Sequence, residues 1–398
     1  MKAQVTMFII IGLFILVSFG LLMYFMFYQE VSRTVNNVPE QSFKRAVVES
    51  ARSYINNCLA ETSSQALEFL GKQGGRLYKS QGSTANDPIE FISYEGFKVS
   101  YSILPPSGTV GDYSSAVPDY PWIGFPWITE DGKEKEWFYG FYGLPDFPPL
   151  YEFSQGSVQQ MLEKYIESNI PKCVDWSSFK GLSFDTGIPK VKMIIAKNLS
   201  QLYTEEFVSF SLNWPVTVID ADGSKTELKD FVANYPVSFG KIYYNAKSLI
   251  DSDVSDVSFD PFNYAGFDVS VVRDANSLHD DIIVFTDKKS KLIGRPFSFW
   301  IARKNRAPAL VLINSSVYQN RGYCLGTRFS IDGNILRASA GQLAYPLKAF
   351  DPDEDSVRFS LAPERPELVS GQITFRVVAS DQALEDYQYI QVRGVACE

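Results

Sequence analysis

Histidine is nearly missing from this chain: among 398 residues there is one, His279. Zinc chemistry and most general-base catalysis lose their commonest ligand and proton carrier with it. The four cysteines, Cys58, Cys173, Cys324 and Cys397, lie too far apart in sequence for a C-x-x-C metal or redox pair. There is no G-x-S-x-G elbow, no phosphate-binding loop, no H-E-x-x-H and no dinucleotide fingerprint. Basic excess is also lacking, since the net charge is −9, which argues against a nucleic-acid surface. Asp251, Asp253 and Asp256 have neither the glycine nor the closing glutamate of an EF-hand and read as a solvated loop. His279 stands beside Asp280 and Asp281 in a polar stretch with no nucleophile, so it reads as a loop histidine. No enzyme and no cofactor are expected.

Charge is lacking altogether from residues 5–28, which are rich in Ile, Leu, Phe, Met and Val. At 1.5 Å per residue such a run reaches roughly 36 Å, enough to cross a hydrocarbon core of about 30 Å. A single membrane-spanning helix is expected there, in contact with the lipid bilayer. Residues 1–4 would be cytoplasmic, because Lys2 is the only charged side chain before the run, and everything after it would be extracellular. No small-residue cleavage motif follows the run, which argues for an anchor that is kept. An even number of cysteines beyond it points to two disulfides.

Residues 40–70 repeat apolar side chains at three- and four-residue spacing and end at Gly71 and Gly74-Gly75, which predicts a long amphipathic stalk helix within 29–75. A head of mixed α/β character would follow over 76–304. In it, Phe97, Val99, Tyr101 and Ile103 alternate as a strand, and 112–153 gathers Trp122, Trp127 and Trp137 among prolines as a packed cap or an aromatic binding platform. A second helix carries Val158, Met161, Leu162, Tyr165, Ile166 and Ile170 on one face and stops at Pro171. Strands are expected over 207–212, 216–219 and 237–244, with a turn at Asp222-Gly223. Cys58 in the first helix and Cys173 just past the second would join if the helices pack side by side, which leaves Cys324 for Cys397. Asn198 and Asn314 open glycosylation sequons.

Three resemblances add to this reading. Lys2-Ala3-Gln4 before an apolar helix resembles the class III signal of archaeal pilins, in which a peptidase cuts before the glutamine, although Phe8 stands where those chains carry glutamate. It implies, as an alternative, a pilin-like subunit of a homo-oligomeric filament. The stretch from Asn305-Arg306-Ala307-Pro308 through Asp351-Pro352-Asp353-Glu354-Asp355 to Asp381 and Asp386 is similar to the cadherin-like, immunoglobulin-type repeats of prokaryotic surface proteins. That likeness implies a β-sandwich over 305–398 and offers Asp351, Asp353, Asp355 and Asp381 as calcium ligands. A tight Asx turn at Asp351-Pro352-Asp353 accounts for the same residues without metal. The Lys-Ala-Gln-Val-Thr start, with Cys58 in a helix that leads to Gln73-Gly74-Gly75, resembles single-pass envelope proteins of small symbiotic archaea of the DPANN type. Taken together, these features predict a membrane-anchored α+β protein of the cell surface. It would serve adhesion, cell-cell contact or envelope organisation, with other surface proteins or glycans as partners.

Overall fold

The computed structural model describes residues 16–24, 40–105, 143–151, 156–197, 206–256, 259–263, 267–319 and 321–397. The expected membrane-anchored α+β class is corrected on two counts. Among the described residues no helix is long and apolar enough to cross a membrane, which removes the support for a single-pass anchor and for the localisation drawn from it. Of the run 5–28, the described part is a helical piece over 16–24, which covers about 13 Å. The rest of that run, Lys2, Ala3, Gln4, Asn198 and the three tryptophans of the 112–153 segment lie outside the described residues. Second, strand makes up 40% of the chain, in several small sheets, more than the expected mixed α/β head behind a stalk helix called for.

The chain forms two units. One comprises Met1–Asn57, Val174–Ile188 and Trp214–Phe231, and the other Cys58–Cys173, Pro189–Asn213 and Val232–Glu398. In the first, Phe184 stacks on Trp176 at 4.1 Å between ring centroids, and Trp214 donates its indole N–H to the carbonyl of Gly187. The strand Ser183–Thr186 pairs antiparallel with residues 216–219.

Among the described residues the second unit holds three long helices, a five-stranded and a four-stranded sheet, and smaller strand pairs. Helix α1 (Glu40–Lys72) enters it at Cys58 and buries Leu59, Ala66, Leu67 and Leu70 at the spacing its sequence predicts. It stops because Gly74 turns left-handed at φ +73° so close to the carbonyl of Ser100 that a Cβ would stand 2.6 Å from that oxygen. Helix α2 (Val158–Cys173) buries the six expected residues but runs through Pro171, which forfeits one N–H in the last turn without breaking it. Residues expected as a strand over 237–244 instead begin helix α3 (Phe239–Asp253). Its Phe239, Ile242, Tyr243, Ala246, Leu249 and Ile250 all point inward, and over its first turns that spacing was mistaken for alternation.

The larger sheet contains β1 (Tyr101–Leu104), β2 (Leu144–Pro145), β3 (Asp268–Val272), β4 (Asp281–Leu292) and β5 (Arg295–Arg303), in the order β2-β1-β5-β4-β3. A hairpin of Ile92–Tyr94 and Phe97–Val99 precedes it, turned by Glu95 and Gly96, both at positive φ. The expected strand over 91–104 is therefore three short ones.

The C-terminal part is not a seven-stranded immunoglobulin sandwich. It has a four-stranded sheet of β6 (Gly322–Cys324), β7 (Arg358–Ala362), β8 (Gln372–Ser380) and β9 (Glu385–Val395), in the order β6-β9-β8-β7. Besides it, the described residues of this part form the pair Ala309–Leu310 with Ala349–Phe350 and a separate three-stranded meander over 329–346. The meander's Phe329, Leu336 and Leu343 share one core with Phe375, Val377 and Ile390 of the four-stranded sheet. Side chains tie the segment after Ala309 to β9. Asp386 accepts the N–H of Leu310, and Gln388 both accepts from and donates to the backbone of Ile313.

Disulfides join Cys58 to Cys173 and Cys324 to Cys397, the pairs the sequence points to, with Cα atoms 5.8 and 5.3 Å apart.

Candidate functional site

Strand β5 reads Phe297, Phe299, Ile301, Arg303 in its buried phase, so the pleat carries a guanidinium into the place of a core residue. Arg303 meets three carboxylates there: Nη1 donates to Asp253 Oδ2 at 2.9 Å, Nη2 to Asp281 Oδ2 at 2.7 Å, and Nε lies 2.9 Å from Asp353 Oδ1. Arg306, three residues on, donates from its backbone N–H to Asp353 Oδ2 at 2.6 Å and from Nη2 to Asp353 Oδ1 at 2.8 Å, while Asp253 Oδ1 stands 2.7 Å away. The side chains of both arginines are fully buried. The bonds of Arg303 Nε to Asp353 and of Asp253 Oδ1 to Arg306 are at ion-pair distance but off hydrogen-bond alignment, so each counts as a charge contact.

Burial works against charge on Arg303, yet Asp353, Asp253 and Asp281 outweigh it and hold its pKa above the ordinary guanidinium value. Burial likewise pushes Asp353 up, and Arg306 and Arg303 overcome it and hold the carboxyl below the usual range. The cluster joins the end of α3, the start of β4, the end of β5 and the 351–355 loop. Asp253, expected in a solvated loop, is one of its buried members.

This decides where the four carboxylates offered to calcium stand. Asp353 is committed to the arginines. Asp351 Oδ1 accepts the N–H groups of Asp353 at 2.8 Å and Asp355 at 3.1 Å, an Asx turn. Asp381 accepts from Asn305 and from the backbone of Ala383 and Leu384. Among the described residues no group of three or more acids, cysteines or histidines is arranged to hold a metal ion. Asn314 caps the short helix Ser315–Tyr318 and is exposed. His279 pairs with Asp274 at 2.7 Å, which raises its pKa.

The loop carries an expected pH dependence. Burial and the neighbouring Asp353 push the Asp351 carboxyl up to about 8; burial and Asp281 push Asp355 to about 6, against the pull of Arg273. An acid whose folded pKa is raised holds its proton more tightly in the folded chain, so stability is greatest below the unfolded pKa and is lost as pH rises through the folded one. The melting temperature is therefore expected to be higher at pH 5 than at pH 8. Asp351→Asn should flatten that slope, and an unchanged slope in thermal melts of the variant would refute the assignment.

Elsewhere on the same sheet a cleft of about 670 Å³ opens over β3, β4 and β5, floored by Ser270, Val272, Val284, Thr286, Ser298 and Trp300. Lys72 at the end of α1 stands over the rings of Phe97 and Trp300, at 4.6 and 5.4 Å, and pairs with Glu68 at 3.0 Å. Tyr94 and Phe97 meet Trp300 edge to face. Glu95, Arg295 and Ile293 complete the rim.

Ile293 is the unusual member. The two-residue turn between β4 and β5 needs positive φ at both positions, and Ile293 adopts +52° beside Gly294 at +74°. A β-branched residue is a poor choice there, costing roughly 1–2 kcal/mol, and its side chain is 65% exposed at the cleft mouth. Strain of this kind gathers where a side chain is wanted for contact. The sequence reading missed the arginine pair and the cleft, although a charged residue in the buried phase of an apolar strand was a visible signal for the first. No family model, curated protein or solved structure matches the chain.

Proposed function

We propose that this is a contact protein, serving adhesion or the organisation of its surroundings, which holds a partner protein or glycan chain non-covalently in the cleft over β3, β4 and β5. The observation that carries this reading is Ile293: an exposed aliphatic residue kept at a strained turn, at the mouth of a cavity in the usual size range for ligand sites. The mixed floor of Ser270, Thr286, Ser298 and the Trp300 ring suits an extended chain with alternating polar and apolar edges. The rim charges Glu68, Lys72, Glu95 and Arg295 would set its direction. The buried acid–base groups are tied to one another in the arginine cluster, away from this opening, so binding without chemistry is the role the cleft fits. Two disulfides suit an oxidising compartment.

Two variants test the reading. Ile293→Asn relieves the turn and is expected to stabilise the protein by about 1 kcal/mol while weakening binding. Thr286→Arg fills the floor and should abolish binding with little effect on stability. The measurement is a screen of the full chain against neutral oligosaccharides and extended peptides, followed by thermal melts and titration of each variant. A protein for which every ligand found binds both variants as well as the parent does not use this cleft.

A further inference from the structure

The outer face of the C-terminal sheet carries a second site, independent of the cleft. Along β9 the residues pointing away from the core are Tyr387, Tyr389, Gln391 and Arg393; β8 contributes Gln372, Thr374 and Arg376, and β7 Arg358. Register sets Arg376 directly beside Tyr389, Thr374 beside Gln391, and Gln372 beside Arg393. The guanidinium of Arg376 lies over the Tyr387 ring at 4.7 Å, and the rings of Tyr387 and Tyr389 stand edge to face at 5.3 Å. Tyr389 is 56% exposed, whereas Val378 on the same face is only 5% exposed.

Three features say what such a face takes. It is basic on an acidic protein, with Arg358, Arg376 and Arg393 against Glu385, in a chain of net charge −9. Among the described residues none of the three arginines forms a salt bridge. A guanidinium held over a ring and free of any ion pair keeps N–H groups available for two-point bonding to a carboxylate. The exposed apolar surface beside the arginines is the Tyr389 ring, with amide and hydroxyl groups next to it, and the one exposed aliphatic side chain of β9 on this face, Val395, lies at the strand's end beside Cys324. A protein partner would call for a desolvated apolar centre. Tyrosine offers a flat apolar body and a polar tip, which matches a sugar ring with its C–H face and hydroxyl rim.

We infer that this face binds a carboxylated polysaccharide, a uronic-acid chain, with Arg376 taking the carboxylate and Tyr389 stacking on the neighbouring sugar. The probe is polygalacturonate, titrated against the full chain, with neutral dextran and poly-glutamate alongside. Polygalacturonate should bind, more weakly as salt rises, with dextran silent and poly-glutamate at least about tenfold weaker. Arg376→Ala and Tyr389→Ala should each weaken binding about tenfold, and Arg376→Lys, which keeps the charge and loses the fork, should also weaken it. Both side chains are at the surface, so thermal melts of the variants should match the parent. Thr286→Arg in the cleft should change nothing here, which separates this site from the one proposed above. Equal binding of poly-glutamate, indifference to Tyr389→Ala, or no binding of polygalacturonate would overturn the proposal.

Discussion

Replacing Arg303 by methionine is expected to destabilise the protein by roughly 3–5 kcal/mol, a large part of the folding free energy of a typical domain. The side chain is fully buried, and its removal would leave Asp253, Asp281 and Asp353 facing one another with only Arg306 and the half-buried Arg273 to answer them. Attraction is not what makes the effect large. A buried ion pair gains little over a well-packed apolar pair, but a carboxylate stranded without its partner bears the whole cost of leaving water. Two further variants separate these terms. Asp353→Asn should also be costly, because it leaves two guanidinium groups short of charge. Lys247→Ala, which breaks the exposed pair with Asp251, should cost no more than about 0.5 kcal/mol. Denaturant midpoints of the three proteins provide the comparison. An Arg303→Met midpoint no lower than that of Lys247→Ala would mean that the cluster is wetter than its burial indicates.

What could be read from the sequence was mostly local. The apolar spacing of α1 and α2, the Gly74-Gly75 stop and the Asp222-Gly223 turn are decided by neighbours within a few residues, and each is where the pattern places it. Residues 239–246 carry apolar groups that suit a short strand and a helix equally, and only packing chose the helix. In the sequence Arg306 reads only as part of the repeat-like stretch that begins at Asn305, and Arg303 is not singled out. Their partners sit at 253, 281 and 353, separations that no single-chain pattern reveals. The likeness to cadherin-type repeats offered Asp351, Asp353 and Asp355 to calcium beside the Asx-turn reading, and the sequence could not show the arginines that neutralise Asp353. The cleft was invisible for the same reason, since Lys72, Tyr94, Ser270 and Trp300 meet only after the sheet has formed.

Removing the bond between Cys58 and Cys173, by changing both to alanine, is expected to cost the second unit about 4–5 kcal/mol in the chain-entropy account. The two cysteines are separated by 115 positions and are the first and last residues of the opening segment of that unit, so the bond closes a long loop on the segment's own ends. Cys324 and Cys397 are separated by 73, and the same account gives them only a few tenths of a kcal/mol less. Local structure is what distinguishes the two bonds. The parallel pairing of β6 with β9 sets Cys324 beside Val395 and already brings that second pair together. Cys397 is exposed, whereas Cys58 is 3% exposed inside α1. Mild reductant should therefore open Cys324–Cys397 first, with little change in thermal stability while β6 and β9 stay paired. Cys58–Cys173 should resist until the unit unfolds, and its loss should lower the denaturant midpoint sharply. Timed alkylation with peptide mapping reads the order directly. Simultaneous opening of both bonds in the native protein would show that the burial of Cys58 does not protect it, and would remove the basis for ranking the two.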